Sequence, residues 1–138
     1  MDHITAAATW VSKKLIGGYD YKENHYQTLL IYALQKRGFN VSSEENLEYS
    51  TMDGGNKIVF GFGRMDLKVT SPDGTTWIVE LKAVDNLKYV RQYQNQIRRY
   101  LKHYTPKVDG ILIVFNNRSC QPHIETFPSK TKTGFLHE

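Results

Sequence analysis

The chain has 138 residues, 40% of them hydrophobic and 23% charged, with 18 Lys plus Arg against 14 Asp plus Glu, a net charge of +4 and a pI of about 9.1. This size and balance suit a single globular domain over residues 1–138 with a real core, and exclude a disordered chain. No stretch approaches the roughly 20 apolar residues of a membrane helix. The N-terminus lacks the basic start and continuous apolar run of a signal peptide. Cys120 is the single cysteine, which excludes an intrachain disulfide and a cysteine zinc site and suits an intracellular, reducing compartment. The mild positive excess permits a nucleic-acid partner without demanding one.

In chain order, residues 4–16 can form a short amphipathic helix, stopped by Gly17-Gly18. Residues 22–37 form a better one: Tyr26, Leu29, Leu30, Ala33 and Leu34 recur at helical spacing and Gly38 follows as a C-cap. Residues 39–49 are expected as a strand with a polar centre, and 53–56 as a turn. Residues 57–70 and 76–84 are strands joined by the turn Ser71-Pro72-Asp73-Gly74. Asp85 is placed to cap a helix over 86–104, whose apolar stripe runs through Val90, Tyr93, Ile97, Tyr100 or Leu101, and Tyr104 before Pro106. Residues 110–115, GILIVF, have the continuous apolar character of a strand buried on both faces. Residues 118–138 carry no sustained pattern and are expected as loop or partly unstructured tail. The order predicts an α/β fold with one mixed sheet flanked by helices.

A loop with glycine at its third position suits a type I turn ending in a left-handed residue, which centres the hairpin on Asp73 and sets Asp66 opposite Glu80. Alternation then puts Arg64, Asp66 and Lys68 on one face, with Met65, Leu67 and Val69 on the other; Glu80 and Lys82 share the polar side. Directly opposed carboxylates repel. A hard divalent cation removes that conflict and can activate water and phosphoryl oxygens. Lys82 reaches the same space, where it can hold the attacking water or neutralise developing charge. The plain structural reading is solvated strand ends with a Lys–Glu salt bridge. Between Asn86 and Val108 there is no acid, but Lys88, Arg91, Arg98, Arg99, Lys102 and Lys107 are interleaved with tyrosines. That segment is a solvated helix face, a phosphate-binding face, or both at once. The histidines show no metal spacing and are expected at the surface or boundary.

Several segments, taken together, resemble the PD-(D/E)XK nuclease superfamily, and within it the GxxExxY branch. Glu23-Asn24-His25-Tyr26 followed by LLIYALQKRGFNV resembles the branch's opening helix and next strand, although Asp20 stands where the branch has its glycine. GRMDLKV resembles the segment with the first metal-binding aspartate, which falls on Asp66. WIVELKAV resembles the strand with the Glu-x-Lys pair, falling on Glu80 and Lys82. QIRRYLKHY is similar to the following helix, placing the family's Gln and Tyr on Gln96 and Tyr100, and GILIVFNN resembles the last core strand. The resemblance covers about residues 19–117.

It implies a restriction-endonuclease-like α-β-β-β-α-β core and a Mg²⁺- or Mn²⁺-dependent nuclease acting on DNA ahead of RNA, either structure-selective, as in junction resolvases, or exonucleolytic. Asp66, Glu80 and the Leu81 carbonyl would ligate the metal, Lys82 would assist the water, Glu23 would act beside the metal through water, and Gln96 would bind a phosphate oxygen or a ligand water. Arg64, Lys88, Arg91, Arg98, Arg99, Lys102 and Tyr100 are the expected nucleic-acid-binding residues, and the family admits a homodimer. The alternative is a catalytically silent nucleic-acid-binding or protein-interaction module that keeps the fold.

Overall fold

The computed structural model describes residues 1–17, 21–84 and 90–129, with the side chain of Glu44 left aside. Two helices open the chain, α1 (Asp2–Leu15) and α2 (Glu23–Lys36). Ile4, Ala7, Ala8, Val11 and Leu15 form one buried stripe on α1, at the three-and-four spacing that lays an amphipathic helix on a core. On α2 the buried residues are Tyr26, Leu30, Ala33 and Leu34. Phe39 N–H donates to Leu34 O and Gly38 N–H to Gln35 O, both at 3.0 Å, closing the helix end and folding Phe39 back into the core.

The sheet follows as β1 (Asn40–Asp53), β2 (Asn56–Thr70) and β3 (Thr76–Ala83), then helix α3 (Val90–His103), then β4 (Asp109–Phe115) and β5 (His123–Phe127). Spatial order follows chain order. β1, β2 and β3 are antiparallel neighbours, β3 and β4 are parallel, and β4 and β5 are antiparallel. The parallel step requires a crossover, and α3 supplies it.

Each face of the sheet carries its own helices. Leu67, Val69, Val79, Leu81, Ile111, Ile113 and Phe115 pack under α1 and α2, with Tyr26 stacked on Phe115 at 4.8 Å between centroids. On the other face Ile78, Leu112 and Val114 meet Ile97, Tyr100 and Leu101 of α3. β4 is therefore covered on both sides, as its apolar run requires.

Three expectations change. The segment after Asn116 is not patternless tail throughout: β5 pairs along β4, Phe127 is buried, and Ser129 N–H donates to Asp109 Oδ1 at 2.9 Å. Its apolar alternation is too short to stand out before β4 offers an edge to pair with. Met65 does not share a cluster with Leu67 and Val69: burial along β2 alternates through all three, but Leu67 and Val69 pack under α1 and α2 while Met65, beyond the last residue of β2 paired with β3, joins the α3-side cluster. The first long strand runs to Asp53 rather than ending near Tyr49. The expected cap at Asp85 and the first residues of the third helix lie outside the described residues.

Candidate active site

The turn sets the register. Gly74 N–H donates to Ser71 O at 2.9 Å, and Gly74 has φ of +93°, a left-handed conformation that costs a residue with a Cβ more than it costs glycine. Leu67 pairs with Val79 and Thr70 with Thr76, so the hairpin is centred on Asp73 and the next position sets Asp66 beside Glu80.

There the strands part, and side chains replace the ladder. Leu81 N–H donates to Asp66 Oδ2 at 2.8 Å, and Asp66 N–H donates to Glu80 Oε1 at 3.4 Å. Lys82 Nζ stands 3.7 Å from Glu80 Oε2 and 5.3 Å from the centroid of the Tyr93 ring. Glu80 is 1% exposed. Burial and then the Asp66 carboxylate push its pKa up to about 8, with Lys82 pulling the other way. Two acids in mutual contact at a buried strand end conflict electrostatically within the bare protein.

Glu23, at the start of α2, borders the same place. Its pKa is raised by burial, held back by Lys82 and raised further by Asp66, and Ala83 N–H donates to its carboxylate. A cleft of about 490 Å³ opens beside it, lined by Tyr21, Lys22, Asn24 and Val84 among others. From α3, Gln96 Nε2 donates to the Tyr100 hydroxyl at 2.7 Å. Tyr100 is 4% exposed, and burial followed by Glu80 raises its pKa to about 12. The structure thus brings Asp66, Glu80, Lys82 and Glu23 together, with Gln96 reaching them through Tyr100. Tyr100 was expected on the nucleic-acid-binding face. It is a core ring whose hydroxyl faces the acids.

The basic residues are spread more widely. Arg91, Arg98 and Lys102 follow one exposed row of α3, where Arg98 also lies over the Phe127 ring at 5.1 Å. Arg99 turns to the other side, 6.0 Å from the centroid of Tyr49. Arg64 is exposed on β2. Lys88 lies outside the described residues. Lys107 Nζ donates to Lys102 O at 2.8 Å and so serves the end of α3.

The sequence reading missed Tyr49 and Gly63. A Cβ on Gly63 would run into the Tyr49 hydroxyl and lie 2.9 Å from Tyr100 Cε1, so the bare glycine is where both tyrosines meet β2. The alternation Phe60-Gly61-Phe62-Gly63 was a usable signal, since glycine repeated on one strand face marks a close approach.

Hard oxygen donors from two carboxylates, in conflict until a cation lies between them, fit a divalent metal. Among the described residues no three His, Cys, Asp or Glu side chains form a metal cluster, so such an ion would complete its shell with main-chain oxygen, water or substrate.

A mixed sheet flanked by helices, with an Asp, a Glu and a Lys at the split between two central strands, defines a restriction-endonuclease-like α/β protein. The sequence matches the family model of the PD-(D/E)XK nuclease superfamily over residues 1–127, and the chain belongs to that superfamily. The match extends on both sides of the 19–117 segment that carries the motifs and does not assign a branch within the superfamily. A solved structure titled "Crystal structure of SSO0001" is similar in fold, with a TM-score of 0.54 and 18% identity over 80% of this chain. The aligned region spans 52% of that protein, about half its length. No curated protein matches the chain. None of the described helices is long and apolar enough to cross a membrane.

Proposed function

We propose that the protein is a Mg²⁺- or Mn²⁺-dependent phosphodiesterase that hydrolyses DNA. The observation that carries this reading is the meeting of Glu80 with Asp66, whose main-chain N–H and carboxyl both hydrogen-bond it at the split between β2 and β3, with Lys82 3.7 Å from the same Glu80. Burial, and then the Asp66 carboxylate, raise Glu80 to about 8 and weaken the metal-free fold, and holding a cation is the use that explains placing the two acids there.

In this reading Asp66, Glu80 and the Leu81 carbonyl would hold the ion. When bound, it supplies a Lewis acid for the phosphoryl oxygen and a water of lowered pKa. Lys82 orients the attacking water and offsets charge building on the phosphate. Glu23, raised by burial and held by Ala83 N–H, is placed to hold a water or its proton on the α2 side. Gln96 fixes the Tyr100 hydroxyl toward Glu80 from the α3 side. Arg91, Arg98 and Lys102 would carry phosphates along α3.

The test is a cleavage screen with Mg²⁺, Mn²⁺ and chelator. It uses single-stranded, duplex, flapped and four-way DNA and RNA, with Lys82→Ala as control. Metal-dependent DNA cleavage that disappears in Lys82→Ala is expected. DNA binding without cleavage of any substrate would instead make the chain a silent binding module.

A further inference from the structure

β3 pairs with β2 at Leu67 to Thr70, while β1 and β2 stay paired out to Asp53 and Asn56. The outer part is therefore a two-stranded arm, and it is apolar: Met52, Ile58, Val59, Phe60 and Phe62 are 63%, 44%, 41%, 63% and 73% exposed. Its ladder has one break. Tyr49 pairs with Gly61 and Ser50 with Val59, which leaves Phe60 without a partner residue, a bulge of the kind that re-aims a side chain.

The break is tied to α3. Ser50 N–H donates to His103 Nδ1 at 3.3 Å. The His103 ring lies 5.0 Å from Tyr49 and 5.6 Å from Phe60, edge-on to the latter at 71°. Tyr49 lies 6.3 Å from Phe60, and the Arg99 guanidinium sits over Tyr49. Lys102 is exposed on the same last turn of α3. Phe60 is thus held by its neighbours yet left open to solvent.

We propose that Phe60, backed by Tyr49 and His103 with Arg99 over Tyr49, stacks an unpaired base of a nucleic-acid strand running to the carboxylate cluster. The substrate class is then nucleic acid with a single-stranded segment beside the cleaved bond. The strand's destination rests on the nuclease reading; the stacking does not. Bases inside a duplex have both faces covered, so a protruding ring must first unstack a step there, which costs free energy, and stacks preferentially on a base that is free. The patch is separated from the site by one core ring: Tyr49 meets Tyr100 over Gly63, and the Tyr100 hydroxyl faces Glu80. Charge favours a polyanion over a second copy of this chain, which would bring the same cations and a net charge of +4.

The experiment measures anisotropy of labelled single-stranded, flapped and fully paired DNA of equal length, in a Lys82→Ala background that keeps the DNA intact. Phe60→Ala should lose roughly 5- to 100-fold in affinity for the first two probes and little for the duplex. Phe60→Trp should keep the affinity, and its fluorescence should quench as the single strand binds. Equal loss on all three probes, no loss on any, or no binding of single strands by the parent would overturn the proposal. So would a wild type that sediments heavier than one chain while Phe60→Ala sediments as one chain with unchanged DNA affinity, since the arm would then serve self-association. Cleavage by the Lys82-containing protein is scored separately. Base-selective binding without cleavage sinks the nuclease reading alone; cleavage with no effect of Phe60→Ala sinks the stacking alone.

Discussion

Glu80 gives the metal-free protein a pH-dependent stability. Its carboxyl titrates near 4.5 in an unfolded chain and is raised to about 8 in the fold. Between those values the folded chain keeps a proton that the unfolded chain has released, so stability falls as pH rises through that window and levels off above it. The effect is on the order of a few kcal/mol. Melting temperatures in chelator should fall between about pH 5 and pH 8, and Glu80→Gln should flatten that slope. Asp66→Asn keeps an acceptor for Leu81 N–H while removing a charge, so the metal-free variant should melt no lower than wild type. Mg²⁺ or Mn²⁺ should raise the melting temperature of wild type and of Lys82→Ala but not of Asp66→Asn, because binding to the folded form alone stabilises it. Equal metal shifts in all three proteins would place the ion elsewhere.

At the scale of elements, two joints matter. Tyr49 of β1 and Tyr100 of α3 meet over Gly63 of β2, with no room for a Cβ. Gly63→Ala should displace both rings and cost about 1–3 kcal/mol, as overpacking does. Urea melts would read the loss, and a variant as stable as wild type would show that the joint yields freely. β5 is the second joint. Phe127 is 6% exposed beneath Arg98, and Gln94 Nε2 donates to both Glu125 oxygens at 2.8 and 2.9 Å, linking β5 to α3. Phe127→Ala should cost about 3–5 kcal/mol, the range for a buried ring. A cost below about 1 kcal/mol would mean that β5 contributes little to the core.

Over the whole molecule, charge and topology divide the work. Asp66 and Glu80 meet where β2 leaves β3, while Arg91, Arg98 and Lys102 of α3 lie outside on its exposed row. Under the proposed function, DNA bound along that row releases counterions. Arg91→Ala and Arg98→Ala should each weaken binding and flatten the dependence of log K on log salt by about 0.9 for each phosphate left without its cation. A salt slope unchanged in both variants would move the DNA path off α3.

The sequence by itself determined the order of elements through β4 and the partners in the central hairpin. Periodicity marks a buried face one element at a time, and the Pro-Asp-Gly turn fixes a register, so Asp66, Glu80 and Lys82 could be placed together from local rules. The likeness of the motifs to a nuclease family carried Glu23 and Gln96, which no local rule would have singled out. Tertiary structure decided the rest. β5 exists because β4 presents an edge, Met65 joins the α3-side cluster where β2 is no longer paired with β3, and Tyr100 is a core ring because α3 lies against the sheet at that turn. The joint of Tyr49, Gly63 and Tyr100 and the clasp of His103 on Ser50 join residues distant in sequence. No local period can encode such contacts, since they depend on how far one packed layer sits from the next.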